Sequence, residues 1–138
     1  MVWNKWQPTP TIKGKYEIEN MEGNLEKLEI KLKRLDSLHS LSLQFQFVLI
    51  AFQSTAIELR KKTLQTLSFQ LNTSHLEWTF FQVLDSPYSA WLSQQSCGIH
   101  SPADFTHHVI ITPSLVVDIA LWGVASGPII EEELGYLK

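Results

Sequence analysis

The sequence predicts a β-rich α+β domain, with six or seven mostly antiparallel strands forming a sheet, barrel or sandwich and two or three short helices. Three observations predict it. Apolar and polar residues alternate with a period of two along much of the chain, which buries one face of a strand. Helix starts with a physical mechanism are few. The connections are too short for repeated parallel crossovers, which need about a dozen residues or more each. With 138 residues, 44% of them hydrophobic, the chain suits one core, so a single domain spanning 1–138 is expected.

Residues 1–10 hold Trp3, Trp6, Pro8 and Pro10, a composition that predicts an extended N-terminal arm. Its tryptophans either cover a core edge or anchor a partner. Thr11 to Glu19 reads as the first strand and Met21 to Asn24 as a turn. In the next strand Leu28, Ile30 and Leu32 share one face, and Lys27, Glu29, Lys31 and Lys33 share the other. Such lysines discourage edge-to-edge pairing of sheets. A third strand runs from Leu41 to Phe52 and becomes apolar on both faces after Val48, which predicts a central position under a helix. Thr55 and Glu58 have capping-box spacing for that helix, with Arg60, Lys61 and Lys62 on its surface.

Leu64 to Leu71 and Leu76 to Leu84 read as two more strands, the latter with a phase shift that implies a bulge or a two-faced buried end. Ser86 as N-cap and Pro87 in the first turn start a helix that carries Tyr88, Trp91 and Leu92 and stops at Gly98. His107 to Thr112 and Leu115 to Leu121 flank Pro113-Ser114 as a hairpin. Pro128 to Leu137 reads as a closing helix with Glu131, Glu132 and Glu133 near its start.

The net charge of −3 provides no global field for nucleic acid, and no basic face is interleaved with aromatics. Charge is nonetheless uneven. Residues 1–62 hold ten of the eleven basic residues against seven acids, leaving +3, whereas 63–138 stand at −6. Lys27, Lys31, Lys33 and Arg34 are therefore candidates for a charged docking face. The single cysteine, Cys97, excludes an intramolecular disulfide, and Met1 to Gln7 lacks a signal-peptide core, so a cytoplasmic setting is expected. No apolar run approaches the ~20 residues of a membrane-spanning helix.

One cluster has the residue types of a nucleophilic site: Cys97, His100, His107, His108 and Asp118. A hairpin pivoting on Pro113 sets His108 opposite Asp118, and a carboxylate there would orient the imidazole of a papain-like Cys97/His108/Asp118 hydrolase. A turn centred between Pro113 and Ser114 separates that pair. His107 and His108 point to opposite faces, so at most one joins a site. Cys97 also falls at the end of a helix, the wrong pole for a thiolate. Cys97-x-x-His100 with one further histidine supplies three zinc ligands where a structural site takes four, so neither a metal nor a cofactor is expected. Phosphate-loop, dinucleotide, nucleophile-elbow and zincin motifs are absent.

A longer pattern combines Phe52, Glu58-x-Arg60, Trp78-x-x-Phe81, Ser86-x-Tyr88-x-x-Trp91-Leu92, His107-His108-x-Ile110-x-Thr112 and Val117-Asp118-Ile119. Over residues 45–120 it resembles small uncharacterised bacterial proteins of immunity-protein type. The resemblance implies a non-enzymatic binder of another protein, in particular a toxin-neutralising immunity protein, and carries no catalytic residues. Lys27, Lys31, Lys33, Arg34, Trp3 and Trp6 are the expected partner-binding residues, and a homo-oligomer is compatible with them. The alternatives are the Cys/His hydrolase and a β-barrel that encloses a small ligand.

Overall fold

The computed structural model describes residues 1–24, 26–46, 49–72, 77–123 and 128–133. The elements follow in the order β1 (Val2–Lys5), β2 (Tyr16–Gly23), β3 (Lys27–Arg34), β4 (Ser40–Gln46), β5 (Leu49–Ala56), a 3-10 turn (Ile57–Arg60) and α1 (Lys61–Leu71). Then come β6 (Phe80–Leu84), α2 (Pro87–Gln95), a second 3-10 turn (Pro102–Asp104), β7 (Phe105–Ile111), β8 (Leu115–Trp122) and β9 (Ile129–Glu133). All ladders are antiparallel, and the strands divide into a five-stranded sheet, β1-β6-β7-β8-β5, and a four-stranded one, β2-β3-β4-β9. The β-rich α+β class is thus the one the alternation predicts.

Two apolar clusters hold these layers together. The larger lies between the sheets, where Leu28, Ile30, Leu32, Leu41, Leu43 and Phe45 of the small sheet meet Phe80, Ile110, Val117, Ile119 and Leu121 of the large one. The smaller lies on the opposite face of the large sheet, where Phe81, Val83, Val109, Ile111 and Val116 pack with Leu67 of α1. The central strands β7 and β8 of the large sheet are therefore buried on both faces, as their near-continuous apolar runs require. The small sheet keeps strict alternation because its outer face is solvated.

Several elements differ from expectation. The single strand from Leu41 to Phe52 is two strands, and β4 and β5 belong to different sheets. That change of sheet explains the change from one-sided to two-sided patterning, and it makes β5 an edge strand rather than a central one. Thr55 does not cap a helix, because it pairs with Val116 in the ladder, and the 3-10 turn starts after Ala56 without a side-chain cap. Lys61 to Leu71 is helical rather than a strand. Leu64, Leu67 and Leu71, at i, i+3 and i+7, face the core, and Phe69 is 86% exposed.

The first strand begins at Tyr16 and extends through the expected turn to Gly23, with Asn24 Oδ1 accepting the backbone N–H groups of Glu26 and Lys27. β6 begins at Phe80, and both Phe80 and Phe81 are buried on opposite faces, so the phase shift marks a two-faced strand. Ile129–Glu133 is a strand paired with β4 rather than a closing helix. Residues 134–137 of that expected helix lie outside the described residues. α2 starts as its sequence specifies, with Ser86 Oγ accepting from the Ser89 N–H at 3.0 Å and Pro87 in the first turn.

Candidate functional site

The hairpin register decides which histidine meets the acid. Val109 pairs with Asp118 and His107 with Ala120, so the turn is centred between Pro113 and Ser114. His107 and Asp118 then share the helix-bearing face of the sheet, and His108 points into the space between the sheets. His107 Nε2 lies 2.7 Å from Asp118 Oδ1. His108 instead packs against the Trp6 ring, with centroids 4.4 Å apart. The Cys97/His108/Asp118 arrangement is therefore not assembled: His108 and Asp118 occupy opposite faces. Cys97 sits exposed, with φ of 56°, in the turn after α2.

Asp118 gathers a wider network than the hairpin alone provides. Arg60, at the end of the first 3-10 turn, donates from Nη1 to Asp118 Oδ2 at 2.6 Å, and Gln53 of β5 donates to the same oxygen at 3.2 Å. The Arg60 Nε donates to Thr63 Oγ1 at 3.0 Å, which fixes the plane of the guanidinium. Burial alone would push the Asp118 carboxyl up, but the donors from His107 and Arg60 outweigh it and bring its pKa down to about 2. An ionised Asp118 accepts, so His107 donates from Nε2. In the neutral ring this fixes the Nε2–H tautomer and leaves a lone pair on Nδ1.

The network forms the polar end of a pocket of about 480 Å³. Its walls come from the sheet face, from the start of α1, from the first turns of α2 and from β1. Trp3, Tyr88 and Trp91 supply aromatic surface, and the Tyr88 ring stacks on His107 with centroids 5.0 Å apart at 24°. Burial, followed by the charge on Asp118, pushes the Tyr88 hydroxyl up, so it stays protonated. Trp3 Nε1 and His107 Nδ1, in side chains that line it, are buried without a hydrogen-bond partner among the described residues. The geometry orients an imidazole, and the Thr63, Thr66 and Tyr88 hydroxyls line the same pocket.

The residues expected to bind a partner separate into distinct places. Trp3 is buried against Phe81 in the smaller core, and β1 is tied to α1 by the Trp3 N–H donating to Gln70 Oε1 at 3.0 Å. Trp6 is half-buried, its carbonyl accepting from Trp78 Nε1 at 3.0 Å. Neither tryptophan projects as a free anchor. Lys27, Lys31 and Lys33 lie on the solvated face of the small sheet, where Glu29 pairs with Lys31 at 3.6 Å, and Arg34 pairs with Asp36 at 2.6 Å. The face also carries Glu19 and Glu131, so its charge is mixed rather than cationic.

His100 pairs with Asp104 at 3.7 Å, and among the described residues no three of the His, Cys, Asp and Glu side chains converge as metal ligands. No described helix is long and apolar enough to cross a membrane. Sequence reasoning missed Arg60 as a partner of Asp118, because 58 residues separate them and only the β5–β8 pairing brings them together. Comparison of the chain with protein-family models, with curated proteins and with solved structures finds no match in any of the three.

Proposed function

We propose that this protein is a non-enzymatic binding module for another protein, of the toxin-neutralising immunity type that its motif pattern resembles, and that it engages its partner around the mouth of the pocket. The observation that carries this reading is Trp91, which lines the pocket yet is 54% exposed. Tryptophan, tyrosine and arginine around a concavity are the residue types that dominate binding energy at protein interfaces, and Trp91, Tyr88 and Arg60 stand together here. Phe69, one turn beyond Thr66 of the pocket wall on α1, is a further exposed aromatic. Lys61 and Lys62, exposed at the start of α1, add a cationic flank, which suits a partner with an acidic surface.

The test is capture of the partner from lysate of the native organism by the wild-type chain and by two variants. Trp91→Ala should reduce recovery of the identified partner at least about tenfold, the effect expected of an interface hot spot. The double variant Lys31→Glu/Lys33→Glu should recover it undiminished. The opposite pattern would move the docking surface to the small sheet. If both variants recover it as wild type does, neither surface is the interface.

A further inference from the structure

We infer that the pocket also binds a small planar organic anion, an aromatic ring bearing a carboxylate, in its interior. Asp118 is the acid in the pocket wall, and its oxygens already accept from His107, Arg60 and Gln53. Its negative charge is spent within the protein. Arg60 uses Nη1 and Nε on Asp118 and Thr63, so its Nη2 has no hydrogen-bond partner among the described residues. Lys62, in the same wall, makes no ion pair among the described residues. With Asp118 balancing one of these two cations, an uncompensated positive charge faces the cavity. A carboxylate accepts from both groups, from Arg60 Nη2 and from the Lys62 ammonium, in charge-assisted hydrogen bonds.

The walls select the rest of the ligand. The Tyr88 ring, stacked on His107, and the Trp91 ring tilted beside it, with centroids 6.4 Å apart at 49°, line the pocket with aromatic surface suited to an aromatic body. The volume, about 480 Å³, lies within the range of small-molecule sites and exceeds what a bare inorganic anion would fill. The site uses the side chains that the protein-binding reading places at the rim, but it holds its ligand whether or not a partner docks there.

The experiment is a calorimetric titration of the full chain with 2-naphthoate and, separately, with its neutral isostere 2-naphthamide. The acid should bind at least about tenfold more tightly than the amide, as expected for hydrogen bonds to charged groups. Lys62→Gln, at an exposed helical position, should shrink that preference about threefold without altering the amide's affinity. Trp91→Ala should weaken acid and amide by the same factor. Equal binding of acid and amide would overturn the anion preference, and so would an unchanged preference in Lys62→Gln. Absence of binding by both probes would overturn an aromatic occupant. None of these failures touches the partner-capture result, whose own failure leaves the titration intact.

Discussion

His107 and His108 are neighbours in sequence, equally buried, and placed on the two faces of one strand, yet their surroundings have little in common. On the helix-bearing face His107 meets an ionised carboxylate at 2.7 Å and an aromatic ring in parallel. Between the sheets His108 meets Trp6 and stands opposite Ile119, with its Nδ1 unpartnered among the described residues. Burial, and secondarily repulsion from His107, lower the His108 pKa to about 4. The contrast separates two meanings of a buried polar residue. One face organises its polar groups around Asp118 and opens on a pocket. The other keeps its imidazole neutral and treats it as core.

The sharpest way to break the contrast is to remove its centre. Asp118→Ala leaves Arg60 and His107 facing each other without their shared carboxylate, and it should cost about 3–5 kcal/mol in denaturant unfolding. A loss below about 1 kcal/mol would mean that the network adds little to the fold. The next effect is a pH dependence. His108 in the folded state titrates below its ordinary 6.5, so the unfolded chain takes up that proton first. Its contribution is present above pH 6.5 and is lost as pH falls toward 4, by roughly 3 kcal/mol in all. His108→Gln should flatten the stability profile across that window, and an unchanged slope would reassign the acid sensitivity to another group.

Asp118 acts in a separate, more acidic window. Its pKa is held below the carboxylate's ordinary 3.8, at about 2, so its contribution is present above 3.8 and disappears as pH falls through 2. Asp118→Asn should remove the stability component lost between pH 3.8 and 2, and an unchanged profile there would assign it to another carboxylate. The smallest effect belongs to the pocket rim. Trp91→Ala and Lys62→Gln should each change unfolding free energy by less than about 0.5 kcal/mol, which would mark these side chains as dispensable to the fold and free to serve binding.

Local chemistry made some of this legible from sequence. Ser86-Pro87 located α2, Pro113-Ser114 located the β7–β8 hairpin, and the alternation of β3 located its buried face. The opposite facing of the two histidines also followed from strand geometry. Which of them meets Asp118 did not, because a shift of one position in the turn exchanges the faces. α1 escaped because Leu67, Phe69 and Leu71 mimic a strand's alternation, and only the exposure of Phe69 betrays the helical period. β9 escaped because Glu131, Glu132 and Glu133 resemble an acidic helix start, whereas pairing with β4 fixes them in a ladder. Long-range pairing has no signature within a window of ten residues.

The same long-range pairing governs how the chain reaches this structure. β1 pairs Val2 with Leu84, and β4 pairs Ser40 with Glu133, so each sheet needs a strand made far later in the chain. At roughly 5–20 residues per second, β1 emerges from synthesis about four to sixteen seconds before its partner. During that interval Trp3 has no Phe81 to rest on, and the segment is a strand in search of an edge. Domains dominated by such distant contacts fold on the scale of about milliseconds to seconds rather than microseconds. For this protein the hazardous stage is therefore translation itself, when β2, β3 and β4 can already pair but the five-stranded sheet lacks most of its strands.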